Sequence, residues 1–130
     1  MIRGLIRFFA AFLVLAPVAC GTPALGSLHY SEVSVAPLEP TLGDRNIQIA
    51  EGITVKAHVT AIDDSGSGYD SAPELSSNDR TILRVDTVGS GNFVFTGVSV
   101  GQTTIEVFVA GDHVGRVSAE VVAQSTGAGG

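Results

Sequence analysis

The sequence predicts an all-β protein, a sandwich of about seven short antiparallel strands. Apolar residues alternate with polar ones with a period of two, which is typical of strands with one buried face. Turn-forming Gly, Asn, Asp and Ser residues recur about every ten residues. No stretch keeps a helical period, so the helical crossovers of a parallel α/β sheet have no place in this chain.

The strand predicted between residues 53 and 61 shows the alternation most clearly. Its apolar positions are Ile53, Val55, Ala57, Val59 and Ala61. The residues between them are polar, so one face is expected on the core and the other in solvent. The same alternation predicts strands at 105–109 and 117–121. Shorter strands are predicted at 33–35, 47–49, 82–85 and 93–95.

The segment 97–101, Gly-Val-Ser-Val-Gly, has two interpretations. Its G-x-S-x-G pattern matches the nucleophile elbow of α/β-hydrolases, which would make Ser99 a nucleophile. That motif requires a helix after the turn, whereas a strand is predicted here. We therefore interpret Gly97 and Gly101 as turn residues and expect Gly101 to hold a backbone angle that a side chain disfavours. The chain is predicted not to be an enzyme, with no catalytic residue and no cofactor.

The N-terminal 19 residues have the layout of a secretory signal peptide: a basic start, an apolar run at 8–16, and small residues before Cys20. The apolar run is shorter than the roughly 20 residues that span a bilayer. Cys20, the only cysteine, resembles the lipid-attachment cysteine of bacterial lipoproteins. That resemblance implies a lipid anchor in the membrane and, because Gly21 follows instead of Asp, an outer-membrane location. The alternative is ordinary secretion, with Cys20 discarded or left as a free thiol.

Charge limits the partners of the mature chain. Arg3 and Arg7 belong to the signal peptide, which leaves five basic residues against 13 acidic ones. This balance argues against nucleic acid and against anionic membrane surfaces as partners. Composition then divides the rest into a lipid-attached tether at 20–32, one domain at 33–123 and a flexible tail at 124–130.

Four segments carry a resemblance to the bacterial immunoglobulin-like domains of the group 2 type, found in intimin- and invasin-like adhesins. They are 33–37, 49–54, 76–86 and 95–105, the last reading Phe-Thr-Gly-Val-Ser-Val-Gly-Gln-Thr-Thr-Ile. Leu75 stands where the family usually has Trp. The resemblance implies an immunoglobulin-like β-sandwich that acts as a non-catalytic interaction module of the adhesion type. Its partner would be an unidentified protein or glycan; the alternative is a structural spacer or accessory subunit of an envelope complex.

An acidic loop supplies the candidate metal ligands. Asp63, Asp64 and Asp70 surround a Ser- and Gly-rich segment, and calcium binds such carboxylates in extracellular domains. The alternative is a solvated strand connection. His29, His58 and His113 lie far apart in the sequence and are interpreted as surface residues without a metal.

Two aromatic residues are candidate partner-binding groups. Tyr69 lies in the acidic loop, and Phe108 falls on the polar face of its predicted strand. An aromatic side chain there needs a cover, which is either a binding partner or a neighbouring part of the fold.

Overall fold

The computed structural model describes residues 22–124, which form two β-sheets packed face to face. The predicted all-β sandwich is confirmed. The described strands are β1 (Leu25–Ser31), β2 (Thr41–Leu42), β3 (Asn46–Ala50), β4 (Thr54–Asp63), β5 (Pro73–Ser77), β6 (Leu83–Gly89), β7 (Asn92–Gly97), β8 (Gly101–Val109) and β9 (Asp112–Val122). Between residues 22 and 124, no segment forms an apolar helix of membrane-spanning length.

The strand order is that of an immunoglobulin constant-type sandwich. One sheet has the order β1-β4-β7-β6, which corresponds to strands A-B-E-D. The other has the order β2-β3-β9-β8-β5, which corresponds to G-F-C with two further strands, β3 and β2, added beside G. The count of seven strands and the purely antiparallel pairing need correction. The chain leaves the first sheet after β1 and joins the second with β2 and β3. There β3 runs parallel to β9.

Alternating apolar residues from the two inner faces fill the core. All five apolar positions predicted for 53–61 are at most 5% exposed, and Ile105, Val107 and Val109 are at most 3% exposed. The rings of Phe93 and Phe95 are fully buried on β7. These side chains interdigitate in the space between the sheets, which is what holds a sandwich together.

The prediction of a tether at 20–32 is wrong for residues 25–31, which form β1. This strand pairs with β4 from Leu25, opposite Asp63, to Ser31, opposite His58. Leu25 and Leu28 are buried in the core. A register irregularity after Leu25 places the buried residues Leu25 and Leu28 three positions apart instead of two. Because the alternation is broken there, a period of two in the sequence does not predict this strand.

The prediction of a strand at 33–35 is also wrong. Glu32 takes a left-handed φ of 54°, which ends β1 and turns the chain toward the second sheet. Ser34 still meets β4, since its N–H donates to the Lys56 carbonyl at 2.9 Å. Val35, however, is 99% exposed. The segment is a crossover that leads to the Pro-containing stretch at 37–40.

Arg45 joins the two sheets along one side. Its Nη1 donates to the Leu25 carbonyl at 2.9 Å and to the Gly26 carbonyl at 3.2 Å, and its Nη2 donates to the Arg116 carbonyl at 3.2 Å. Leu25 and Gly26 belong to β1, whereas Arg116 belongs to β9. The planar guanidinium can satisfy several carbonyls at once, and here it closes the sandwich between these strands.

Candidate functional site

The outer face of the five-stranded sheet carries ordered rows of polar side chains. Strand pairing places Glu120 between Gln48 and Gln102 in one row. In the next row Ser118 lies between Asn46 and Thr104. Along the strands these residues alternate with residues that face the core, such as Ile47 and Ala119, so they point outward. The result is a surface of amide and hydroxyl groups shared by three strands.

These rows line a shallow groove of about 600 Å³. The lining residues with outward polar groups include Thr41, Gln48, Gln102, Thr104, Ser118 and Glu120. Gln48 Nε2 donates to Glu120 Oε1 at 3.2 Å, which orders the middle of the groove. Amides and hydroxyls both donate and accept hydrogen bonds. The groove therefore presents hydrogen-bond donors and acceptors on both sides of the Glu120 carboxylate.

Glu106 organises the other half of this face. Its carboxylate accepts hydrogen bonds from Asn78 Nδ2 at 2.6 Å, and it lies 2.6 Å from His113 Nε2 and 3.2 Å from Arg116 Nη2. The Glu106 side chain is only 15% exposed, whereas that of Arg116 is 64% exposed. The hydrogen bonds from Asn78 and His113 hold the pKa of Glu106 below its ordinary value.

We expect Glu106→Gln to make stability less sensitive to acid. A carboxylate with a lowered pKa in the fold stabilises it above the pKa of the unfolded chain, about 4.3, and this contribution disappears as the pH falls through the folded pKa. The variant lacks this titration. When both proteins are unfolded in urea between about pH 5 and pH 3, the free energy of unfolding should fall less steeply with decreasing pH in the variant than in the wild type.

The matched control is Glu74→Gln, which changes an exposed residue on the adjacent strand β5. Its stability should follow the pH as the wild type does. If the free energy of unfolding fell equally with pH in wild type and Glu106→Gln, the contacts of Glu106 with Asn78, His113 and Arg116 would contribute no acid sensitivity.

The His113 ring packs against the Phe108 ring. Their ring centroids are 5.2 Å apart in an edge-to-face arrangement, a favourable geometry for aromatic rings. Phe108 is half-buried, and His113 is at the same time bound to Glu106. The neighbouring strand β9 thus supplies a cover for part of the ring.

The acidic loop forms hydrogen bonds within itself. Asp63 Oδ1 accepts from the Ser65 hydroxyl at 2.6 Å, from the Ser65 N–H at 2.9 Å and from the Ser67 N–H at 3.0 Å. The bond from the Ser65 hydroxyl makes the largest contribution to a lowered pKa of Asp63. In the part of the chain from 22 to 124, no three His, Cys, Asp or Glu side chains come together as metal ligands. Asp63, Asp64 and Asp70 are therefore not assembled into a calcium site in this structure.

Tyr69 contacts the start of the described chain. Its hydroxyl donates to the Pro23 carbonyl at 2.7 Å. The side chain is half-buried, and burial raises its pKa. The hydroxyl thus forms a hydrogen bond within the fold, whereas the sequence predicted Tyr69 as a candidate partner-binding residue.

The segment 97–101 connects β7 to β8, as the turn interpretation predicted. Ser99 is followed by a strand, and its Oγ donates to the Thr81 carbonyl at 2.6 Å. The context of a nucleophile elbow is therefore missing. The expectation of an unusual backbone angle at Gly101 is wrong, because the left-handed glycines of the described chain lie at other positions. A Cβ at Gly101 would instead approach Ile82 Cδ1 to 2.9 Å.

The histidines remain separate in the fold. His29 is exposed on β1, and its predicted place in a tether is corrected with that strand. His58 Nδ1 lies 3.0 Å from Asn92 Oδ1, and His113 binds Glu106. Cys20 and the predicted signal peptide at 1–19 lie outside the described residues, as do positions 125–130 of the predicted tail.

Sequence reasoning missed both halves of the polar face. The outward positions of β8 and β9 were visible in the alternation, and they include Gln102, Thr104, Ser118 and Glu120. Their assembly with Gln48 depends on β3 lying beside β9. That contact joins residues more than 70 positions apart in the chain.

Comparisons with known proteins locate similar folds only. No protein-family model matches the sequence, and no curated protein matches it. The chain is similar to S-layer protein SbsC domains 4 and 5, with 21% identity, a TM-score of 0.45, and coverage of 78% of this chain and 54% of that chain. It is also similar to SbsC domains 5–6, with 21% identity, a TM-score of 0.47, and coverage of 80% and 47%. The chain thus spans about half the length of each of these structures.

Proposed function

We propose that the chain is a lipid-anchored, non-catalytic interaction module of the bacterial cell envelope. The observation that carries the proposal is the outer face of the five-stranded sheet, where three strands align hydrogen-bonding side chains along a groove. This face uses the Gln48, Glu120 and Gln102 row to meet a polar partner. The partner is a protein or a glycan.

A second candidate function, an accessory subunit of an envelope complex, is favoured by the short link to Cys20. With β1 beginning at Leu25, residues 21–24 are what separates Cys20 from the first strand. Four residues extend at most about 14 Å. A domain held so close to a membrane suits a partner in the same envelope better than a distant external ligand.

Photo-crosslinking in cells tests the proposed face. A photoreactive residue at Gln102 lies in the groove, whereas the control position Thr60 is exposed on β4 in the other sheet. We expect a defined adduct from position 102 and none from position 60. An adduct with a protein of the same cell supports the accessory subunit, and one that requires an added external ligand supports the adhesion-type module. Equal labelling from both positions, or none, would overturn the assignment of the face.

Lipid attachment is tested by Cys20→Ala. We expect the wild type in the membrane fraction with incorporated palmitate, and the variant without palmitate in the soluble fraction. Several acyl chains anchor durably, whereas a single chain holds only marginally. Unchanged fractionation of the variant would contradict the lipid anchor.

A further inference from the structure

The first described residues are fastened to one end of the sandwich by three hydrogen bonds. The donor–acceptor pairs are Thr22 Oγ1 to Asp112 Oδ2 at 2.6 Å, Tyr69 hydroxyl to Pro23 carbonyl at 2.7 Å, and Asp64 N–H to Ala24 carbonyl at 2.9 Å. We call these three contacts the entry clamp. Each of residues 22–24 takes part, so the chain is held before β1 begins.

The clamp is located at a single end of the molecule. Its partners come from the β4–β5 connection at 64–72 and from the start of β9, beside the β8–β9 turn. We call this the entry end. The β5–β6 connection at 78–82 and the β7–β8 connection at 98–100 form the far end. The nine residues of β8 separate the two ends by about 30 Å, at about 3.4 Å per residue.

Covalent geometry limits how far the lipid can lie from the entry end. Cys20 precedes Thr22 by two residues, and two residues span at most about 7 Å. The Thr22 hydroxyl is fixed on Asp112. A lipid on Cys20 must therefore enter the bilayer beside the entry end.

We propose that the entry clamp orients the sandwich on the membrane, with the entry end against the lipid headgroups and the far end projecting away. This inference rests on the proposed lipid attachment at Cys20. Asp64, Asp70 and Asp112 place carboxylates at the entry end, which repel anionic headgroups. This end is therefore held at the bilayer by the lipid anchor and the clamp and not by electrostatic attraction.

Two variants, each with one cysteine in addition to Cys20, measure the orientation. Ser71→Cys places a thiol at the entry end and Val100→Cys places one at the far end, both at exposed positions. With the Cys20 sulfur carrying the lipid, the added thiol is the free one and takes a fluorescent label. The lipidated proteins are reconstituted in phosphatidylcholine vesicles that contain a headgroup-linked quencher. We expect several-fold stronger quenching at position 71 than at position 100. Equal quenching would overturn the orientation.

A variant that lacks two of the clamp hydrogen bonds tests whether the clamp sets the orientation. Thr22→Val with Tyr69→Phe removes two of the three hydrogen bonds and retains similar side-chain volumes. The difference in quenching between positions 71 and 100 should fall, while circular dichroism shows the same fold. An unchanged difference would show that the clamp does not set the orientation.

Vesicle flotation separates this inference from the proposed function. Protein that carries Cys20 and does not float with the vesicles would contradict the lipid anchor itself. Protein that floats and is quenched equally at both positions would contradict the orientation alone.

Discussion

Ile105→Ala is expected to destabilise the fold by about 2–5 kcal/mol. Ile105 is fully buried on β8, where it lies opposite Val117 of β9 on one side and Ser77 of β5 on the other. Truncation removes three methyl or methylene groups from this position and leaves a cavity that the neighbouring strands fill only in part. The loss should appear as a lower free energy of unfolding in urea.

The control for this prediction lies on the same strand. Gln102 is exposed on the outer face, and Gln102→Ala should change stability by less than about 0.5 kcal/mol. Comparable losses at 102 and 105 would mean that β8 has the opposite face toward the core, since a one-residue shift exchanges the two faces of a strand.

Gly97→Ala is expected to have the second large effect, a loss of about 1–3 kcal/mol. A Cβ at Gly97 would collide with the Ala50 carbonyl oxygen and come within 3.2 Å of Val121 Cγ1. The backbone here cannot move aside freely, because the Gly97 N–H and carbonyl are both hydrogen-bonded to the β3–β4 connection, at Ile53 and Gly52. Glycine is required at this position by the close approach of two backbone segments.

Two other glycines provide the comparison. A Cβ at Gly101 would meet the terminal Cδ1 of Ile82, which can rotate away, so Gly101→Ala should cost less than Gly97→Ala. A Cβ at Gly68 meets nothing within 4 Å, and its φ is not left-handed. Gly68→Ala should therefore be neutral or slightly stabilising, because alanine restricts the unfolded chain. Thermal melting of the three variants should give the largest decrease for Gly97→Ala.

The resemblance to group 2 bacterial immunoglobulin-like domains predicted the fold class and the connection at 97–101. The strand order agrees with an immunoglobulin-like sandwich. No family model matches the sequence, so membership of that family stays a prediction. The fold alone does not assign the function, because one sandwich architecture hosts many unrelated roles.

The sequence by itself determined the elements whose signal is local. Alternation at 53–61, 105–109 and 117–121 identified three long strands and their buried faces, because the side-chain period of a strand is two and the core admits apolar residues on one face. Local alternation failed at 25–31, where the bulge after Leu25 breaks the period. It also gave a false strand at 33–35, where the turn at Glu32 redirects the chain.

Tertiary structure alone decided the features that join distant segments. The parallel pairing of β3 with β9 brings Gln48 beside Glu120 and creates the polar groove. The meeting of Tyr69 with Pro23, 46 positions apart, makes the entry clamp. The Asp63 carboxylate accepts hydrogen bonds from its own loop. Glycine is required at position 97 because the Ala50 carbonyl leaves no space for a Cβ. Strand patterns carry no information on which strands become neighbours, because every amphipathic strand satisfies the same rule and only packing in three dimensions selects the partner.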